Sequence, residues 1–123
     1  MAPNGGTLKP PGVVHDVAKT ISKHTHSGAE AARDLRRGRE VHVFDDAVDL
    51  AELEAKVWSE GTALGRVGEG QRAKFERFIW EAPSPIGKRV QTRHEEVALR
   101  YVEIKLDTTT AKYHLVPRAR PAD

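Results

Sequence analysis

The chain contains no cysteine, which excludes disulfides, thiolate catalysis and cysteine-ligated zinc. That absence leaves the compartment open. No apolar run approaches the roughly 20 residues that a membrane-spanning helix needs, so no membrane span is expected. Residues 1–11 lack the apolar segment of a secretory signal. No internal repeat is visible. The glycine-rich run Gly65-Arg66-Val67-Gly68-Glu69-Gly70 lacks the Lys-Ser/Thr pair of a phosphate-binding P-loop and reads as a hairpin turn. What remains is a chain of 123 residues, 38% hydrophobic and 31% charged, enough for one domain around one core. The net charge of +2 conceals an asymmetry: residues 1–65 carry 8 Lys+Arg and 10 Asp+Glu, residues 66–123 carry 12 and 8. A basic second half suits a polyanion such as nucleic acid, although a mixed-charge solvated surface would show the same balance.

Residues 1–12, with Pro3, Pro10 and Pro11, read as a flexible linker, leaving residues 13–123 as the domain. Val14, Val17 and Ile21 form one stripe of a first helix ending near His24-Thr25-His26. Ser27-Gly28-Ala29-Glu30 reads as a capping box opening a second helix, closed by Arg36, Arg37 and Gly38. A strand follows over 40–44. Asp45 or Asp46 is expected to cap a third helix, with Asp49 in its first turn, Leu50, Leu53, Val57 and Trp58 inward, a Glu52–Lys56 pair, and Gly61 at its end. The remainder reads as strands over 62–67, 73–80, 88–93, 97–106 and 112–116. Short connections favour antiparallel neighbours. The expected class is α+β: N-terminal helices packed on one face of a four- or five-stranded antiparallel sheet.

Period-two alternation then assigns faces. Ala98, Val102, Ile104 and Leu106 share one face, and Tyr101, Glu103 and Lys105 the other, pointing away from the helices. Tyr113 and Leu115 pair as core residues, which sends Lys112 and His114 to the polar side. Arg118 and Arg120 follow. If the last two strands are neighbours, Glu103, Lys105 and His114 converge on one open face rimmed by arginines. Those side-chain types suit RNA cleavage without a metal. A glutamate or histidine takes the 2′-hydroxyl proton, Lys or Arg stabilises the phosphorane, and a histidine protonates the leaving 5′-oxygen. The same residues also fit a plain surface ion pair beside an incidental histidine. His114, Glu103, Lys105 and Arg118 are the candidate catalytic set, with Arg120, Lys88, Arg89, Tyr101 and Lys112 for substrate binding. His24 and His26 have three readings: contributors to that site, a metal pair lacking an obvious third ligand, or solvated residues at a helix end. No metal or other cofactor is expected. His42 and His94 receive no role. Trp58 is assigned to the core. Trp80 is assigned to packing, with base stacking as the alternative.

The runs His42-Val43-Phe44-Asp45-Asp46, Gly61-Thr62-Ala63-Leu64-Gly65, Pro85-Ile86-Gly87-Lys88-Arg89-Val90 and Tyr101-Val102-Glu103-Ile104-Lys105 resemble C-terminal modules of bacterial polymorphic and contact-dependent-inhibition toxins. So does the ending Tyr113-His114-Leu115-Val116-Pro117-Arg118-Ala119-Arg120-Pro121. The resemblance covers roughly residues 40–121. Many such modules are similar in topology to barnase, colicin D and RelE ribonucleases. The resemblance implies an endoribonuclease acting on tRNA or another structured RNA in the target-cell cytoplasm. It also implies secretion at the end of a larger exported protein and a cognate acidic immunity protein. A monomer is expected. No family catalytic motif aligns residue by residue. A non-catalytic RNA-binding module would share the basic face without a Glu103–His114 contact. A protein-interaction module is the other alternative, against which the pI of 9.0 argues.

Overall fold

In chain order the computed structural model contains β1 (Val14–His15), α1 (Val17–His24), α2 (Ala29–Arg36), β2 (Val41–Phe44), α3 (Leu50–Glu60) and β3 (Thr62–Arg66). A 3₁₀ turn (Gly70–Lys74) then leads into β4 (Phe75–Glu81), β5 (Gly87–Val90), β6 (Val97–Leu99), β7 (Tyr101–Asp107) and β8 (Lys112–Arg118). It describes residues 7–66 and 69–121, apart from the side chain of Arg72. Residues 1–6 of the expected linker, Val67 at the end of the expected strand 62–67, Gly68 of the expected turn and residues 122–123 of the expected domain lie outside the described residues.

The class is α+β, with the helices in the first half. A five-stranded sheet has the order β1-β8-β7-β4-β3. Its strands are antiparallel except β1, which runs parallel to β8. The alternating run 101–107 is at its centre because one face is apolar enough to bury. Val102, Ile104 and Leu106 lie opposite Pro117, Leu115 and Tyr113 on one side and Trp80, Phe78 and Glu76 on the other. Leu53, Val57 and Trp58 of α3 close this face, with the Trp58 indole 4.9 Å from Phe78 and edge-on to Tyr113. Asp49, rather than Asp45 or Asp46, caps α3: its carboxylate accepts from Ala51 N and Glu52 N, the geometry of an N-cap. Lys56 pairs with Glu60 at 2.7 Å instead of with Glu52.

The second half is not one continuous meander. β5 and β6 leave the main sheet and join β2 in a three-stranded antiparallel sheet of order β2-β5-β6. The expected long strand over 97–106 therefore breaks at Arg100, where it passes from one sheet to the other. Close pairing of β2 with β5 requires Gly87, because a Cβ there would lie 2.3 Å from the Val43 carbonyl oxygen. Val41, Val43 and Ala31 form a small second core beneath α2.

The predicted inward stripe Val14–Val17–Ile21 faces the other way, at 61%, 50% and 43% exposure. The cause is the free edge of β8, whose backbone groups need partners. Val14–His15 pairs with Lys112–Tyr113, Asp16 N donates to Tyr113 O, and Thr20 Oγ1 accepts from Leu115 N at 3.0 Å. Asp16 therefore caps α1, and buried Thr20, not the valines, faces the sheet edge. The N-cap of α2 is Gly28, not Ser27. A Cβ at Gly28 would lie 2.3 Å from two carbonyl oxygens of α1. Residues 7–12 are tied down rather than free: Leu8 N donates to Trp58 O and Leu8 packs on the main core.

Candidate active site

The second face of the same three strands carries charge. Cross-strand rows place Arg77 opposite Lys105 and Lys105 opposite His114; one step along, Ile79, Glu103 and Val116 are in line. This face is not fully open. β2 and α1 cover part of it, leaving a cleft of about 290 Å³ whose walls include Lys23, His24, His42, Arg77, Lys105 and His114. Glu103 and His114 are buried, at 0% and 5% exposure.

Glu103 is held by arginines. Arg77 Nη1 donates to its Oε2 at 2.8 Å, and Arg118 Nε lies 3.6 Å from its Oε1. The other two carboxylates of the cavity are also arginine-paired. Asp34 lies 3.6 Å from Arg33 and 3.8 Å from Arg39; Glu40 lies 3.5 Å from Arg89. Among the described residues, Lys23 and Lys105 form no ion pair. The carboxylates are thus neutralised while two ammonium groups remain available. Burial, with Arg77 and Lys23 nearby, lowers the Lys105 pKa to about 8. An anion entering here would relieve that repulsion.

His24 and His114 stack, with ring centroids 5.6 Å apart and planes within 4°. Burial lowers both pKa values, that of His24 to about 4 and that of His114 to about 3; in His114 the His24 ring and the nearby lysines add to it. Both imidazoles are therefore neutral at neutral pH. The His24 Nδ1–H donates to the His42 carbonyl at 2.9 Å, so Nε2 carries the lone pair and can accept a proton. Burial also lowers the pKa of His42, whose Nε2 sits 3.6 Å from Glu40.

Five buried side-chain atoms lack a hydrogen-bond partner among the described residues: Asp34 Oδ1, His42 Nε2, Arg77 Nε, Glu103 Oε1 and Trp58 Nε1. All but the last belong to residues lining this one cavity. Three of the four, Asp34 Oδ1, His42 Nε2 and Glu103 Oε1, lie 3.6 Å from an ion-pair partner, too far for a hydrogen bond, and a space this size accommodates a polar ligand with its water.

Of the residues selected from sequence, His114, Glu103, Lys105 and His24 meet here. Arg118 reaches Glu103 from the edge and donates from Nε to Arg120 O. Tyr101 lies opposite Arg118, a row further out. Arg120 and Lys112 are exposed at opposite ends of β8. Lys88 pairs with Glu96 in the second sheet, and Arg89 reaches the rim through Glu40. His26 borders a separate apolar crevice beside Ala31, Leu35 and Val43. No three His, Asp or Glu side chains are grouped as a metal site among the described residues. Lys23, His42 and Arg77 were not selected. Alternation does place His42 opposite Val41 and Val43, and Arg77 opposite Phe78 and Trp80. Trp80 packs on the core, leaving Phe75 as the aromatic of β4 on the polar face.

Residues 12–122 match a family described as a domain of unknown function, DUF6972. The chain belongs to this family. No curated protein and no solved structure matches it. The matched stretch of the DUF6972 domain contains every residue of the cavity, so the site lies within the family's unit. Chemically, the arrangement offers two lysines without carboxylate partners, a guanidinium fixed by Glu103, and two neutral stacked imidazoles, one with its tautomer set. That is an environment for an oxyanion beside a group that can take up a proton.

Proposed function

We propose that this domain is a metal-independent endoribonuclease. A phosphodiester of RNA occupies the cavity against Lys23, Lys105 and Arg77. His24 Nε2 accepts the proton of the 2′-hydroxyl, and the 2′-oxygen bonds to phosphorus. The bond from phosphorus to the 5′-oxygen breaks, and His114 delivers a proton to that oxygen. The products are a 2′,3′-cyclic phosphate and a 5′-hydroxyl. Bound phosphate raises the depressed pKa values of the imidazoles and of Lys105, so the proton His114 donates is stabilised by the substrate itself. Lys105 and Arg77 stabilise the negative charge that grows on the equatorial oxygens. Glu103 holds Arg77 and Arg118 in place, a positioning role in place of the base role that residue type suggested.

The observation carrying this reading is the stacked His24–His114 pair in a cavity whose lysines lack carboxylate partners. The resemblance to polymorphic toxin modules supports the wider setting: a toxin acting on tRNA or another structured RNA after export in a larger protein, and restrained by an acidic immunity protein. One observation favours the alternative of a non-catalytic RNA-binding module: Glu103 bonds to Arg77, not to His114. Purified protein incubated with total RNA in EDTA separates the two. Fragments ending in 2′,3′-cyclic phosphate support the enzyme. RNA that is bound and left intact supports the binding module. Cleavage that requires a divalent ion contradicts the metal-free mechanism.

A further inference from the structure

A second cavity, of about 180 Å³, opens on the same sheet face one row along from the first. The two share Lys105 and His114 as walls. Beyond that partition the second cavity is bordered by Phe75, Asp107 and Lys112 of the sheet and by Lys19 of α1. Lys105 Nζ lies 4.3 Å from the Phe75 ring centroid and Lys74 Nζ lies 5.1 Å from it. One lysine therefore touches both the anion cavity and the only aromatic of β4 that shares the polar face with Arg77.

An aromatic platform flanked by cations is how proteins hold unpaired nucleotides, because every base offers a π-face and every linkage a negative charge. Lys105 forms no ion pair among the described residues and can turn from the ring to a phosphate beside a stacked base, whereas Lys74 is held 3.5 Å from Asp107. Access points the same way. His114 is 5% exposed and lines both cavities, so a phosphate reaching it must enter one of them. A base can lay its face on Phe75 only where it is not stacked between its own neighbours, as in unpaired RNA.

We propose that the substrate is an unpaired RNA segment lying across both cavities, with one phosphodiester against the His24–His114 pair and the neighbouring base stacked on Phe75. This rests on the RNA-cleaving reading and narrows it to single-stranded stretches, including the loops of a structured RNA.

The test uses dimethyl phosphate, a diester anion with no base, and the deoxydinucleotide d(pTpT), which has a base on either side of its phosphodiester and no 2′-hydroxyl to react. Binding is measured by calorimetry on the full chain, with thermal melting of each variant as a folding control. The dinucleotide should bind about ten-fold more tightly than dimethyl phosphate. Phe75→Leu should remove most of that gain while leaving dimethyl phosphate affinity unchanged, and exposed Lys112→Ala should reduce the gain partially. Equal affinity for the two ligands, or a Phe75→Leu loss shared equally by both, overturns the two-cavity substrate while leaving the anion site intact. If neither ligand binds, the RNA-cleaving reading falls and this inference with it.

Discussion

The two faces of the five-stranded sheet are built from the same three strands, yet they are made of opposite materials. On one side Val102, Ile104, Leu115 and Phe78 meet α3, with almost no polar atom to satisfy. On the other, Arg77, Glu103 and His114 are each 5% exposed or less, and, among the described residues, four buried polar atoms without a hydrogen-bond partner belong to residues that line the cavity. The apolar face is what folding requires. The polar face works against folding: desolvated ions recover their lost hydration only in part, and hydrophobic replacements of similar volume are often at least as stable. Under the proposed function, a face that costs stability and borders a cavity is explained by the RNA that binds there.

The comparison can be broken from either side. The largest expected effect is on catalysis. His24→Ala and His114→Ala should each lower the RNA-cleavage rate by about 10²–10⁴, whereas Ile104→Ala, next to Lys105 but on the other face, should leave the rate per folded molecule unchanged. In urea unfolding, Ile104→Ala should cost about 2–5 kcal/mol. The double replacement Arg77→Met with Glu103→Leu should instead be neutral or stabilising by about 1–4 kcal/mol while RNA binding is lost. A double variant that unfolds would show that the polar face is structural.

A pH series sharpens the contrast further. Burial holds the folded pKa values of His24 and His114 at about 4 and about 3, below the ordinary 6.5. Between those limits the unfolded chain binds more protons, so stability is full above about pH 6.5 and falls as the pH drops towards the folded values. The loss should be on the order of a few kcal/mol by pH 4. His24→Leu with His114→Leu should flatten this slope, and an unchanged slope would assign the acid sensitivity to other groups. The smallest expected effect is in salt dependence: Lys23→Ala and Lys105→Ala should each reduce the slope of log affinity for single-stranded RNA against log salt by about 0.7. A residue whose removal leaves the slope intact does not touch phosphate.

Much of the sheet was legible because it is local. Alternation along 101–107 and 112–118 is enough to place Glu103, Lys105 and His114 on one face, and the Lys105–His114 pairing agrees. Helix α3 was readable from Leu53, Val57 and Trp58, although its cap was not, since three aspartates compete within five residues. Long-range pairing hid the rest. β2 draws β5 and β6 out of the expected meander and carries His42 over the polar face. No spacing in the sequence announces that an element at 41–44 will roof strands at 101–118. The Val14, Val17 and Ile21 stripe misled for a related reason: the edge of β8 needed an acceptor for Leu115 N, and Thr20 supplied it, turning α1 by its polar side towards the sheet.

The central claim is that the polar face is kept for an anionic substrate. NMR titration of the His24 and His114 ring protons, with and without inorganic phosphate, tests it most directly. Without phosphate both imidazoles should stay neutral to well below pH 6, titrating near 4 and 3 as burial dictates. With phosphate both midpoints should move upward, because an anion beside the rings favours their protonated form. Midpoints near 6.5 that ignore phosphate would contradict the account, since the histidines would then be solvated side chains with no anion site between them.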